Sequence, residues 1–313
     1  MRHAPAQVST QVFHSLATAA RSGENVALGV LTLAKGSSPQ KVGALAVFHA
    51  DGRIDGTLGG GCLEAEAGKL ALEALASGKA TPFDVVLDGA FRWDDGMICG
   101  GRMGGWVIPA AQQAGVDFWE TLAASRSPTP WGITSDFTFI SGDSARRCID
   151  DLIHHGVVTP PISLWIAGAG HIAQAVAPLA QEIGFDVHVF DDREELASRH
   201  FFREPIALHA GPWPELLAAA PPSPAFALIL TRGHEHDARV LRAWLPHRFG
   251  FLGMIGSKRK ARLMREAFLT EGAATAEQLD AVECPVGIEI EAISPKEIAV
   301  SIAARLIERR AIS

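Results

Sequence analysis

Residues 164–173 read Leu-Trp-Ile-Ala-Gly-Ala-Gly-His-Ile-Ala. An apolar run with strand character ends in a GxGxxA turn and passes straight into helical spacing. No other feature constrains the chain as much, because such a junction belongs to a parallel sheet with helices packed on its faces. Gly168 permits the tight turn, Gly170 lets backbone approach a phosphate, and Ala173 lets the helix sit close to the strand. The helix that opens at His171 would aim its N-terminus at an anion. The alternation then repeats. Strands are expected at 163–167, 186–190, 206–208, 226–231 and 251–255, and helices at 171–183, 194–201, 214–219, 237–244 and 259–269. A last helix over 295–309 has Ser294 as N-cap and Pro295 at its first position. The expected fold of this half is α/β, a Rossmann-like, doubly wound parallel sheet.

The first half has a different grammar. Strands are expected at 26–34, 44–50 and 53–58, the last two joined by a hairpin at Asp51-Gly52. A helix over 63–77 carries Leu63, Ala67, Leu70, Leu72 and Leu75 at helical spacing and stops at Gly78. Further strands are expected at 83–87 and 105–108, which makes an α+β unit with glycine in its turns. A less regular stretch follows and ends at Pro160-Pro161. A proline pair favours an extended linker, so the boundary is placed there, with domains at 1–160 and 161–313.

Composition narrows the function classes. The net charge of −7 supplies no global basic face for nucleic acid. No apolar stretch approaches the roughly 20 residues that span a bilayer, and the opening MRHAPAQVST lacks the apolar core of a signal peptide. A cytoplasmic protein is expected. Its cysteines, Cys62, Cys99, Cys148 and Cys284, then count as thiols. They form no CxxC pair, which argues against a structural zinc knuckle. Tyrosine is absent, so no tyrosine can act as catalytic acid or nucleophile.

The candidate site residues lie in turns. Gly59-Gly60-Gly61-Cys62-Leu63-Glu64 opens the 63–77 helix, where a helix N-terminus stabilises a thiolate. Gly96-Met97-Ile98-Cys99-Gly100-Gly101 embeds a second cysteine in glycine. Both thiols read either as ligand contacts or as small buried apolar groups. Glu64 either complements the helix dipole or faces the same ligand as Cys62. Asp191 ends the second parallel strand, where dinucleotide-binding units keep an acidic residue. It either accepts two ribose hydroxyls, favouring NAD over NADP, or caps the next helix together with Asp192. After the fourth parallel strand comes Thr231-Arg232-Gly233-His234-Glu235-His236-Asp237. Arg232 and His234 suit ligand-facing roles, and Asp237 suits the N-cap of the next helix. Metal binding at this turn is disfavoured, because HExxH spacing is missing. Gly253-Met254-Ile255-Gly256-Ser257-Lys258-Arg259-Lys260 follows the fifth strand. Ser257 and Lys258 there read as an anion site or as a solvated basic turn.

Taken together these motifs resemble the xanthine dehydrogenase accessory proteins, the XdhC/CoxI family. The residues that carry the likeness are Gly36-Ser37-Ser38-Pro39, Gly59 to Glu64, Gly96 to Gly101, Gly168-Ala169-Gly170-His171, Asp191-Asp192-Arg193, Thr231 to His234, Gly253 to Lys260 and Ser294-Pro295-Lys296-Glu297-Ile298-Ala299. They run in order through nearly the whole chain. The resemblance implies an N-terminal XdhC/CoxI-type α+β domain followed by a Rossmann-like domain. It implies an accessory protein more than an enzyme: a chaperone that binds the molybdenum cofactor, molybdopterin, and delivers it with its terminal sulfur to a xanthine dehydrogenase-type molybdenum hydroxylase. A cysteine desulfurase would be a second partner, and exposed apolar helices would suit a homodimer. Cofactor contacts are then expected at Gly60, Gly61, Cys62, Glu64, Cys99, Gly100, Gly168, Gly170, His171, Asp191, Arg232, His234, Ser257 and Lys258, with Cys62 and Cys99 at the molybdenum or its sulfur. This chain departs from the family at Pro39-Gln40, where arginine usually follows the proline, and at His236, where an aromatic tyrosine is common. The strand after Gly101 also ends at Ile108-Pro109 without the acidic residue often found there. The alternative is an NAD(P)-dependent oxidoreductase, supported by Gly168, Gly170 and Asp191, with His234 the best acid it could offer.

Overall fold

The computed structural model describes residues 10–36, 38–87 and 101–312. The chain divides into two compact units, Met1–Pro160 and Pro161–Ser313.

In the first unit, α1 (Thr10–Ser22) leads into β1 (Val26–Gly36), β2 (Leu45–His49), β3 (Ile54–Gly56), α2 (Gly61–Ser77), β4 (Thr81–Leu87) and β5 (Gly101–Ile108). The strands form one antiparallel sheet in the order β3-β2-β1-β5-β4. Alternation assigns its faces. Leu28, Val30, Leu45 and Val47 meet Phe13 and Leu16 of α1 on one side. Ala27, Leu31, Ala46 and Phe48 meet Leu63, Ala67 and Ala71 of α2 on the other. At Gly105 a Cβ would fall 1.9 Å from the Val30 carbonyl oxygen, so only glycine lets β5 close on β1.

The stretch expected to be irregular is ordered into α3 (Val116–Ala123), β6 (Thr129–Thr134), β7 (Phe139–Ser141), α4 (Gly142–Arg147) and β8 (Leu152–Val158). These strands make a small antiparallel sheet, β7-β6-β8, whose Trp131, Ile133 and Val158 join the α1 side of the core. The expectation failed there because the strands are short and prolines and glycines interrupt their pattern. Helix α1 was also not anticipated, although Val12, Phe13, Leu16 and Ala17 carry the spacing that shows it.

The second unit contains β9 (Ser163–Ala167), α5 (His171–Glu182), β10 (Asp186–Asp191), β11 (Ala207–Ala210), α6 (Trp213–Leu216), β12 (Ala225–Ile229), α7 (His234–Trp244), β13 (Phe251–Met254), α8 (Lys258–Thr270), α9 (Ala276–Asp280), β14 (Val282–Glu283) and α10 (Pro295–Ile312). All its strands pair in parallel, in the order β11-β10-β9-β12-β13-β14. Counted along the chain this is 3-2-1-4-5-6, the order of dinucleotide-binding units, so the expected doubly wound fold is the observed one. Leu164, Ile166, Val187 and Val189 face α5 and α10. Trp165, Ala167, Phe190 and Ile229 face α6 to α9. Ser294 caps α10 as expected: its hydroxyl accepts the Glu297 N–H, and the Glu297 carboxylate accepts the N–H groups of Ser294 and Ile293.

Two expectations are corrected. Residues 194–201 form turns instead of a helix. The segment is short, nucleation is costly, and Ala197, with Leu196 partly buried beside it, gives it little apolar surface to bury against the core. Helix α7 begins at His234, three residues before Asp237, so Asp237 lies inside the first turn and Gly233 is the N-cap.

His154 on β8 is buried, and its Nε2 and the Trp131 Nε1 both lack hydrogen-bond partners. Burial, reinforced by neighbouring His155, pushes its pKa down to about 4. A base whose folded pKa lies below its unfolded value contributes stability above about pH 6.5 and loses it as pH falls towards 4. The loss amounts to about 3 kcal/mol. Denaturant unfolding at pH 7 and pH 4.5 is expected to show a larger acid loss for the native chain than for His154→Phe. Equal losses would contradict the assignment.

Candidate functional site

In the first unit the candidate residues gather where β3 runs into α2. Gly59, Gly60 and Gly61 have φ of 131°, 76° and 58°, a succession that side chains resist. Pro39 packs on Gly59, where a Cβ would lie 2.8 Å from its Cγ. Nothing lies within 4 Å of where a Cβ on Gly60 or Gly61 would stand. Cys62 is exposed on the first turn of α2, beside that open space. Glu64 holds the turn in shape. Its Oε1 accepts the N–H groups of Leu58 and Gly60, each at 3.0 Å, and the Thr57 hydroxyl. Burial pushes the Glu64 carboxyl up, but these bonds outweigh it and hold the group below the usual carboxylate range. Glu64 therefore faces the glycine turn. Cys99 and Gly100 lie outside the described residues. Gly101, next after them, pairs with Gly36 at the end of β1, two residues before Ser38.

In the second unit the strand order reverses between β9 and β12, and a crevice opens at their carboxyl ends. Gly168 has φ 108°, and a Cβ there would lie 2.4 Å from the Leu230 carbonyl oxygen. Its glycine is required by packing. Gly170 differs: its φ is −75° and a Cβ would meet nothing within 4 Å. Gly233 on the opposite side is likewise extended and unobstructed. Neither glycine is required by its backbone or its neighbours. They are the N-caps of α5 and α7, and neither helix is capped by a side chain. The two helix N-termini thus stand side by side with amides available to an anion. His171, Arg232 and His234 are exposed around them. Arg232 Nη2 lies 2.9 Å from Asp192 Oδ2, and its Nε donates to His236 Nε2 at 3.3 Å.

Asp191 is 1% exposed and faces inward. It accepts from the Ala169 N–H and from Arg193. Burial pushes its carboxyl up, and these bonds outweigh it, leaving the group below the ordinary range. Of its two expected roles, capping has no helix to serve, because residues 194–201 form turns.

The basic turn after β13 separates by residue. The Ser257 hydroxyl caps α8, accepting the Lys260 N–H. Lys258 is exposed. Lys260 turns inward, pairs with fully buried Asp237 and donates to the Ile255 carbonyl at 3.0 Å. The Thr231 hydroxyl completes the network, 2.6 Å from Asp237. His234, Ser257, Arg259, Lys260, Leu263 and Phe268 line a groove of about 390 Å³ between α7 and α8. Among the described residues no cluster of three or more His, Cys, Asp or Glu side chains could hold a metal ion.

The structure therefore brings Gly168, Gly170, His171, Asp191, Arg232 and His234 to one sheet edge, with Ser257 and Lys258 on the neighbouring loop. Gly60, Gly61, Cys62 and Glu64 meet in the first unit. Sequence reasoning overlooked Gly233, the Asp237–Lys260 pair and the role of Arg193. Only the i, i+2 spacing of Asp191 and Arg193 hinted at the last.

Breaking a buried ion pair on one side leaves an uncompensated charge, at about 3–5 kcal/mol. Lys260→Met is expected to destabilise the second unit by about 3 kcal/mol in denaturant titrations. The double variant Asp237→Asn, Lys260→Met should recover part of that loss, and a loss equal to the sum of both single variants would refute the coupling.

Comparison with known proteins agrees with this architecture. A profile of the XdhC and CoxI family matches residues 19–87, and one of the XdhC Rossmann domain matches residues 164–306. The molybdenum cofactor insertion chaperone PaoD of Escherichia coli is 26% identical over 289 residues, covering 91% of this chain and 83% of that protein. The uncharacterised protein YqeB of the same organism is 28% identical over 288 residues, which cover 90% of this chain but only 43% of YqeB. A Bacillus subtilis protein described as a probable component of xanthine dehydrogenase is 23% identical, covering 95% of this chain and 97% of that protein. A crystal structure described as a xanthine dehydrogenase from Bacillus halodurans has the same fold, with a TM-score of 0.79, 24% identity and 96% of each chain covered. With one profile of the family matching in each unit and likeness to PaoD over 91% of the chain, the chain belongs to the XdhC/CoxI family.

Proposed function

We propose that this protein is a molybdenum cofactor insertion chaperone. It holds sulfurated molybdopterin as cargo and passes it to a xanthine dehydrogenase-type molybdenum hydroxylase. The observation that carries the reading is the Gly60-Gly61-Cys62 turn: an exposed thiol on a helix N-terminus, beside backbone with open space before it, braced from behind by Glu64. A thiolate is a soft donor suited to molybdenum and to transferable sulfur. The cargo supplies the metal and its sulfur; the chain binds and shields it.

Each unit has its own assignment. In the first, Cys62, with Cys99 and Gly100 from the second glycine turn, takes the metal or sulfur end. The second unit offers a separate anion site, where the uncapped amides at Gly170 and Gly233 together with His171, Arg232 and His234 suit a phosphate group. Ser257 and Lys258 border that edge. The name of the relative PaoD supports the cargo. The reading extends to a cysteine desulfurase as sulfur source, to action in the cytoplasm and to a homodimer, for which exposed Leu263, Ile293 and Val300 offer apolar surface.

The Cys62→Ala, Cys99→Ala double variant is expected to fold normally and to retain at least tenfold less pterin cofactor on purification, with a matching drop in activation of an apo-hydroxylase. Unchanged retention and activation would remove the thiols from the site. Gly170→Leu is expected to shift stability by no more than about 1 kcal/mol, because no neighbour obstructs it, while weakening cofactor retention. Undiminished retention in that variant would place the phosphate elsewhere.

A further inference from the structure

A dinucleotide-binding unit reads its ligand at the end of the second parallel strand. An acidic side chain there accepts both ribose hydroxyls, or an arginine nearby takes a 2′-phosphate. Both residue types are present in this chain, as Asp191 and Arg193. They face each other instead of the crevice.

A carboxylate offers about four acceptor positions. At Asp191 all four are filled from within the chain. Oδ2 accepts the Ala169 N–H at 2.7 Å and Arg193 Nη2 at 2.8 Å. Oδ1 accepts the Arg193 N–H at 2.9 Å and Arg193 Nε at 2.8 Å. The two guanidinium bonds are a charge-assisted, bidentate pair. A ribose diol could enter only by replacing these charge-assisted bonds with neutral hydroxyl bonds. The same pairing engages Arg193 Nε and Nη2, so a 2′-phosphate would have to share the guanidinium with Asp191. The Ala169 N–H, one of the amides of the glycine turn, is also turned onto Asp191 and away from a ligand. The next carboxylate, Asp192, already pairs with Arg232, an exposed contact of little energetic weight.

We infer that the Rossmann-like unit has no ribose reader: Asp191 is a strut that sets the shape of the Gly168–Gly170 turn, and the crevice does not select NAD(H) or NADP(H). The ligand class it suits is a phosphate ester recognised by backbone amides and Arg232, without readout of a ribose diol. That second statement rests on the chaperone reading. The exclusion stands on the Asp191–Arg193 pair alone.

The test titrates the full-length protein with NADH and with NADPH, following energy transfer from tryptophan to the reduced nicotinamide. No saturable signal is expected up to about 1 mM. Half-saturation below about 100 μM by either dinucleotide overturns the inference, whatever Asp191→Asn does to it. In parallel, Asp191→Asn is expected to lower the melting temperature by at least about 5 °C, and an unchanged melting temperature overturns the strut role. If Asp191→Asn does not fold, Arg193→Gln makes the same comparison, since it empties two of the four acceptor positions and leaves the Ala169 bond. Pterin content is measured separately on the same preparations. A protein that binds neither pterin nor dinucleotide counts against the chaperone reading while leaving the exclusion standing.

Discussion

The contact between Gly168 and the Leu230 carbonyl sets the geometry of the second unit's functional edge. Because a Cβ at Gly168 would sit 2.4 Å from that oxygen, only glycine lets the end of β9 lie against the end of β12. The Leu230 N–H donating to the Ala167 carbonyl, at 2.8 Å, seals the same junction. This close approach places the N-termini of α5 and α7 beside each other at the point where strand order reverses. Two partial positive charges then converge on one space, and the two unobstructed glycines keep side chains out of it.

The first unit reaches a comparable result with different means. Its sheet is antiparallel, with α1 packed on one face of its central strands and α2 on the other, and its candidate residues lie in a turn beside α2. Three successive left-handed glycines would be an entropic liability. Glu64 offsets it by gathering the turn's N–H groups onto one carboxylate oxygen. Cys62 then stands on the first turn of α2, next to that braced turn. Both units thus follow one scheme: an acidic residue behind a glycine turn takes up some of its amides, and the turn's open side is left for a ligand.

The fold of the second half was readable in the sequence because its strands are apolar on both faces and its helices are amphipathic, so periodicity changes at every boundary. The small sheet β7-β6-β8 was not, since its strands are short and Pro130, Gly132 and Gly156 break the pattern. The turns at Gly59–Gly61 and Gly168–Gly170 were also legible, because glycine is conspicuous wherever backbone must bend. Their roles were less legible. Gly168 and Gly170 look alike in a motif, yet one is demanded by packing and the other by nothing in the chain. Lys258, Arg259 and Lys260 look alike as a basic run, yet Lys260 alone turns inward to neutralise Asp237.

By itself the sequence determined the fold class, the positions of the glycine turns and the family, because these depend on local pattern: hydrophobic period, glycine placement and the order of motifs. Only the tertiary structure decided which polar groups remain available to a ligand. Asp191, Glu64 and Lys260 carry the charges a binding site would use, and each is engaged by partners within its own unit. Those partners come from turns and elements brought together by burial, and a buried charge takes whatever opposite charge or N–H group the packing sets beside it.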